Sequence, residues 1–349
     1  MTEPLDRAVA AALTDPLGSD GTDGAGAPDG GADVAAVDVV TLGETMGLVA
    51  ATRTGSFSVG APATISFGGA ETNVAIGLSR LGHSTAWIGR LGADPVGTLV
   101  NDALRAEGID VSRVRREDAV ATGLMLREHR TADRVRVSYY RRDLAGSRVG
   151  PDDVDAGLVR SARVLHLSGI TPALSDSARA AVFRAVELAR EAGVLVSFDF
   201  NYRAALWSPA EAGAVLRQLV ERADVVFAGE DEAALVVGEG TTENLAKQLA
   251  ALGPGEVILK LGSAGAYALI GAEPVTSRAL DVSAVDPVGA GDAFVAGYLS
   301  GLLDGVAPAD RLRRGNVCGA FSVSVAGDWE GLPRRHELAM LDGRENVAR

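Results

Sequence analysis

The chain carries one cysteine, Cys318, four histidines and only two lysines among its 349 residues. A single thiol excludes an intramolecular disulfide and argues against a cysteine-based metal site. His83, His129, His166 and His336 show no metal-ligand spacing and read as structural or exposed. No run approaches the roughly 20 apolar residues of a membrane helix, and the N-terminus lacks the basic-then-apolar pattern of a secretory leader. A cytoplasmic protein with no membrane partner is the expectation. Positive charge is also scarce: 33 Lys and Arg against 46 Asp and Glu leave a net charge of −13. That balance argues against nonspecific nucleic-acid binding, which basic surface drives, and an anionic substrate must find a local basic cluster.

What is present is ample core material, 47% hydrophobic residues, in a chain long enough for one large domain or two smaller ones. The first 36 residues stand apart. Their "GSDGTDGAGAPDGGAD" has no periodicity and too little apolar surface to offset chain entropy, so disorder is expected there. The piece "DRAVAAALTDP" before it would make only a marginal isolated helix. A single domain is expected over 38–340, with 341–349 as a tail. From Val39 on, strand-like and helix-like segments alternate: "VVTLGETMGLV" as strand and turn, "ETNVAIGLSRLG" as helix, "TAWIGRLG" as strand, then a helix begun by Pro95. "RVLHLSGI", "GVLVSFDFN", "ADVVFAGE" and "EVILKLG" continue the series, separated by helical stretches. Such succession predicts right-handed crossovers and a mostly parallel sheet covered on both faces, an α/β fold with its ligand site beyond the carboxyl ends of the strands. Two segments break the rhythm and read as antiparallel strands, at about 46–67 and 121–142, the second with a hairpin turn at 131–133. They predict a small appended sheet, well placed to act as a lid.

The segment "DPVGAGDAFVAGYLSGLL" (286–303) places Gly289, Ala290 and Gly291 before a helix whose apolar face holds Phe294, Val295, Tyr298 and Leu302. Glycines that turn tightly and present N–H groups at a helix start make an anion site. Two familiar nucleotide loops are excluded. A dinucleotide fingerprint needs glycine where Phe294 stands, and a Walker loop needs a Gly-Lys-Ser/Thr that neither Lys247 nor Lys260 supplies. Asp292 has two readings. It is an acidic first-turn residue favoured by the helix dipole, or it is kept ionised by that dipole to take a proton from an attacking hydroxyl while the loop holds phosphoryl charge.

Residues 286–303 resemble the C-terminal signature of the ribokinase-like (PfkB-type) carbohydrate kinases, and "FGGAETNVAIGLSRLGHSTAWIGRLGADPVG" resembles their N-terminal signature. The resemblance runs from about Val39 to Glu337. It implies an αβα sandwich with a β lid, ATP and Mg2+ as cofactors, and phosphate transfer to a sugar hydroxyl. Asp292 is then the base, with Gly289, Ala290 and Gly291 as the anion hole. Further segments are most similar to the 2-keto-3-deoxygluconate kinases: "SYYRRDLAGS", "DFNYRAALW" and "AGDWEGLP". They imply that Tyr140 and Arg141 meet the sugar acid, with Tyr139 as a weaker candidate. They also imply that Asp199, Asn201 and Arg203 lie near phosphates and substrate, and that Asp328 holds substrate hydroxyls. Gly68, Gly69 and Asn73 would floor the sugar pocket. Lys260, Gly262 and Gly265 in "KLGSAG" would face the nucleotide, although the same residues read as a plain hairpin turn, and Asn316 would face it too or else sit on a helix surface. Asp199 and Glu232 would serve the metal. The chemistry agrees, since a carboxylate substrate calls for an arginine fork and its polyol end for carboxylate or amide acceptors.

The chain departs from the family pattern twice. An Asn-x-x-Glu motif near the metal becomes Gly229, Glu230, Asp231, Glu232, which keeps the carboxylate and loses the amide. Pro287 stands where many relatives have threonine, which puts a monovalent-cation site beside Asp286 in doubt. The expectation is therefore an ATP-dependent sugar-acid kinase acting on the terminal hydroxyl of 2-keto-3-deoxygluconate, with the gluconate or galactonate epimer open, and a homodimer joined through the lid. The alternatives are a neutral-sugar kinase for fructose or ribose, and a noncatalytic sugar-binding relative, against which the intact 289–292 run argues.

Overall fold

The computed structural model describes residues 36–131 and 134–341. The proposed N-terminal tail up to residue 35, the short helix within it and residues 342–349 lie outside the described residues. So do two of the three residues of the hairpin turn at 131–133.

In chain order the first half runs β1 (Val39–Leu42), β2 (Met46–Ala51), β3 (Ala63–Gly68), α1 (Ala70–Arg80), β4 (Thr85–Gly92), α2 (Pro95–Ala106), β5 (Val114–Glu117), β6 (Leu124–Thr131) and β7 (Arg134–Tyr140). The second half runs α3 (Ala156–Ser161), β8 (Val164–Ser168), α4 (Asp176–Glu191), β9 (Leu195–Asp199), α5 (Pro209–Val220), β10 (Val225–Gly229), α6 (Glu230–Val237), α7 (Thr242–Ala250), β11 (Glu256–Lys260), β12 (Ala266–Ile270), β13 (Glu273–Ser277), α8 (Ala290–Leu303) and α9 (Pro308–Val323).

Nine strands form the main sheet in the order β13-β12-β11-β10-β9-β8-β1-β4-β5. All neighbours from β11 to β5 are parallel, while β12 and β13 add on antiparallel. β1, β8 and β9 are buried at every position, as strands covered on both faces must be. Alternate residues feed opposite cores: Val40, Val226 and Ala228 pack with α4 and α5, and Val39, Val225 and Phe227 pack with α8. Crossover helices start on side-chain caps that satisfy their free amides, Asp94 for α2, Ser175 for α4, Ser208 for α5 and Thr241 for α7. α8 is apolar all round and buried from Asp292 to Leu303, so it is a core helix. Its Gly297 lets α9 approach closely, since a Cβ there would stand 2.9 Å from the Gly315 Cα.

The small sheet has the order β3-β2-β6-β7. The stretch read as one strand and turn after Val39 is in fact two strands in different sheets. β1 ends at Leu42, and Gly43 to Thr45 carry the chain across to β2. β2 pairs antiparallel with β3 and parallel with β6, and β6 pairs antiparallel with β7. The "KLGSAG" segment is the connection between the antiparallel strands β11 and β12.

Candidate active site

The site lies beyond the carboxyl ends of the parallel strands, where β9 ends at Asp199 and β11 at Lys260, and it is roofed by the small sheet. α8 begins there. Its N-cap Gly289 has φ 78°, a left-handed conformation that glycine adopts without strain. A Cβ at Gly289 would stand 2.0 Å from the Asp328 carbonyl oxygen, so only a glycine fits against that segment.

Asp292 sits in the first turn of α8 and is buried. Asn73 Nδ2, from α1, donates to its Oδ2 at 2.8 Å, and Asn201 Nδ2 donates to Oδ1 at 3.3 Å. Asn201 holds this position with φ 41°, a left-handed strain of the kind that marks functional loops. Burial pushes the Asp292 carboxyl up to about 7, with the negative charge of Asp199 adding to it; the Asn73 hydrogen bond, Lys260 and Arg203 pull the other way. The helix dipole was expected to keep this carboxylate ionised, but desolvation is the larger effect. The result is a base poised near neutrality, the range suited to proton transfer.

Lys260 Nζ is held by both oxygens of Asp199, at 2.7 and 2.8 Å. Burial works against its charge, but Asp199 and then Glu232 more than offset this and keep it protonated. The same ammonium lies 3.6 Å from where a Gly291 Cβ would be, so it faces the anion loop. Glu232 accepts the Tyr202 amide on Oε1 and the Gly229 amide on Oε2, both at 2.7 Å, and so caps α6 while fixing the loop after β9. Gly229, standing where the family pattern has asparagine, contributes only its backbone. Among the described residues no group of three or more His, Cys, Asp or Glu could hold a metal ion. Glu232, on the cavity wall, fits a hydrated Mg2+, which keeps most of its waters and leans on substrate phosphates, whereas Asp199, expected beside it, has both oxygens on Lys260 and serves the metal only through that ammonium.

One cavity of about 430 Å³ is lined by Gly68, Gly69, Asn73, Arg141, Asn201, Arg203, Glu232, Lys260, Gly289, Gly291, Asp292 and Asp328. The structure thus brings most of the expected site residues together. Tyr140 is a correction. It is exposed and absent from the lining, whereas Tyr139 lines the cavity. β7 alternates, so Val137, Tyr139 and Arg141 share the inward face and Tyr140 points out. Arg141 lies over the Tyr139 ring, 5.6 Å from its centre, and forms an ion pair with the fully buried Glu44. Burial pushes the Glu44 carboxyl up against the opposing pull of Arg141. Arg203 differs: the residue is exposed, its Nη1 donates to the Tyr202 carbonyl, and among the described residues no ion pair holds it, although its charge acts on Asp292. Asp199 lies behind Lys260 and lines neither cavity.

A second cavity, about 380 Å³, adjoins the first and shares Lys260, Pro287 and Gly291 with it. Gly262, Gly265, Ala290 and Asn316 line it, together with apolar residues such as Phe294 and Val323. Asn316 is less free than expected, because its Nδ2 donates to the Ser277 carbonyl and hydroxyl and to the Arg278 carbonyl at 3.0–3.1 Å. It ties α9 to the end of β13 and offers the cavity only its remaining oxygen. Glu44 and Arg127, both lining the first cavity, were missed from the sequence. The signal for Arg127 was the period-two pattern that turns Met125 and residue 127 to one face of β6.

A family profile described as pfkB family carbohydrate kinase matches residues 37–335. The 2-dehydro-3-deoxygluconokinase of Bacillus subtilis is 38% identical over 307 residues, covering 87% of this chain and 94% of that protein. The structure of 2-dehydro-3-deoxygluconokinase from Thermotoga maritima superposes with a TM-score of 0.81 at 27% identity, covering 88% of this chain and 98% of the other. An Escherichia coli protein described as a candidate ribokinase II, solved in complex with ATP and Mg2+, superposes at 0.82 with 25% identity, covering 88% and 100%.

Proposed function

Because the chain belongs to the pfkB family of carbohydrate kinases, and so is an ATP-using phosphotransferase, we propose that its acceptor is the 6-hydroxyl of 2-keto-3-deoxygluconate. The observation that carries this reading is the charge of the sugar cavity. Arg141 and Arg203 line the same cavity as Asp292, and Arg203 has no carboxylate of its own. An exposed cation beside the reacting carboxylate suits an acidic substrate; a neutral sugar would leave it unpaired. The similarity to the 2-dehydro-3-deoxygluconokinase of Bacillus subtilis supports the same substrate class.

The acceptor hydroxyl gives its proton to Asp292, whose oxygens are oriented by Asn73 and Asn201. The new O–P bond forms as the bond from the γ-phosphorus to the bridging oxygen of ATP breaks, and ADP leaves. The amides around Gly289 to Gly291 and the Lys260 ammonium stabilise charge on the transferring group, in a site where burial strengthens each contact. The apolar second cavity suits the adenosine. Mg2+, when bound, would neutralise phosphate charge, and Glu232, which lines the cavity, is the residue that would hold its water shell, with Asp199 acting from behind through Lys260. Asp328 accepts substrate hydroxyls, and the small sheet acts as the lid.

The lid also supports a homodimer. Its outer face carries Ile65, Val49 and Leu126 in one row across three strands, with Tyr140 and Leu124 in the next. Ile65 and Tyr140 are 71% and 55% exposed, and an apolar face of this kind fits a second copy of itself. The substrate assignment is tested by an ATP-dependent rate screen of the purified protein over sugar acids and neutral sugars. A higher kcat/KM for fructose or ribose than for 2-keto-3-deoxygluconate overturns it and leaves the kinase assignment standing.

A further inference from the structure

One side chain of the small sheet, Arg127, reaches the anion loop. Arg127 stands on β6 opposite Ala50 of β2, on the same face as Met125, and is 2% exposed. Its Nη2 donates to Asp328 Oδ1, and its Nη1 lies 3.5 Å from Asp286 Oδ2; its Nε has no partner. The two aspartates belong to the two strips of chain that shape the loop. Asp286 Oδ1 accepts the Val288 amide at 3.1 Å and Oδ2 accepts the Gly327 amide at 3.3 Å, strapping the loop to the segment before Asp328. The Asp328 carbonyl in turn packs on Gly289.

Asp286 and Asp328 are both buried, at 2% and 7% exposure. Two carboxylates so enclosed need a fixed cation, because removing an ion from water without a partner costs several kcal/mol. Arginine suits the task better than lysine, since its planar fork spans two acceptors at once. The arrangement also divides the labour of Asp328. Oδ1 is taken by Arg127, while Oδ2 lies 2.3 Å from where a Gly68 Cβ would stand, on the wall of the sugar cavity.

We propose that Arg127 is a positioning residue, which anchors one oxygen of Asp328 so that the other is presented to substrate hydroxyls, and locks the anion loop through its contact with Asp286. The inference rests on the reading of Asp328 as a hydroxyl acceptor, and not on the substrate being an acid. It makes Arg127, besides lining the sugar cavity, a link from lid to catalytic loop.

The test compares Arg127→Ala and Arg127→Lys with wild type, using whichever sugar wild type phosphorylates best. Loss of a charge-assisted contact at Asp328 predicts that Arg127→Ala raises the sugar KM about 10- to 100-fold, loosening of the anion loop lowers kcat, and the ATP KM, set mainly by the adenosine cavity, stays put. Added guanidinium ion, which fits the vacated space, restores part of kcat/KM in Arg127→Ala, and sodium at equal ionic strength does not. Arg127→Lys keeps the charge without the fork and falls between. A rise of sugar and ATP KM together, in step with a lowered Tm and without guanidinium rescue, overturns the proposal. Should Arg127→Ala fail to fold, Arg127→Lys decides alone: a sugar KM equal to wild type refutes the positioning role. A wild-type preference for a neutral sugar would sink the sugar-acid reading only, and the KM split for that sugar would still decide Arg127.

Discussion

Replacing Asp292 with asparagine should stabilise the protein while disabling it. The carboxyl is displaced from an ordinary 3.8 to about 7, about 3 pH units (7 − 3.8), chiefly by burial. At about 1.4 kcal/mol each, ionising it in the folded state costs about 4 kcal/mol more than in the unfolded chain. The sign follows from linkage. Below about pH 4 both states are protonated and nothing is lost; between about 4 and 7 the unfolded chain ionises first, and stability falls until the folded carboxyl also ionises. Asparagine keeps an acceptor for Asn73, gives up the longer contact from Asn201 and never ionises. Asp292→Asn should therefore match wild type near pH 4 and exceed it by up to about 4 kcal/mol at pH 8, while turnover falls by about 10²- to 10⁴-fold. Wild-type kcat/KM should itself rise with pH through about 7 as the base ionises. Denaturant unfolding of both proteins at several pH values gives the stabilities, and a pH–rate series gives the inflection. A stability difference independent of pH, together with a flat rate profile across neutrality, would refute the argument from desolvation.

Three other outcomes are expected. Arg203→Ala should raise the KM for a sugar acid by about tenfold or more and leave that for a neutral sugar nearly unchanged; equal losses for both, in parallel rate curves, would take Arg203 away from the substrate carboxylate. Glu232→Gln can accept at one amide oxygen only, so it should lose one of the Tyr202 and Gly229 contacts, costing about 1 kcal/mol of stability and raising the Mg2+ concentration for half-maximal rate. A Mg2+ titration identical to wild type would confine Glu232 to capping. Ile65→Lys, placed on the 71% exposed outer face of the small sheet, should shift the protein from dimer to monomer by light scattering, and a wild type that is already monomeric would remove the dimer.

The parts of the site that were legible in the sequence are those set by a local rule. Gly289 and Asp292 follow from a turn and a helix start only a few residues apart, and the α/β alternation follows from buried runs such as Val39–Leu42. What the sequence hid was pairing between distant segments. Nothing near Arg141 says that Glu44 will neutralise it, and Arg127 reads as one more polar residue in a strand until Asp286 and Asp328 fold against it. Tyr140 was misplaced for a different reason. With Arg141 facing inward, a period of two selects Tyr139, and "SYYRR" offers two adjacent tyrosines that only the strand's facing tells apart. Asn316 lines the second cavity, and its hydrogen bonds to Ser277 and Arg278 join segments far apart in sequence, visible only in three dimensions.

The seam between β2 and β6 has a consequence for the order in which the molecule is built. Gly47 pairs with Leu124, 77 residues further on (124 − 47), while β1 pairs with β4 and β8 to begin the main sheet. Joining such distant strands costs loop-closure entropy before any contact returns it. The cavity also draws on Glu44 near one end of the described chain and Asp328 near the other. A nascent chain can therefore complete much of its sheet on the ribosome yet hold no working centre until the last helix is out. Its activity arrives all at once, as the final act of folding.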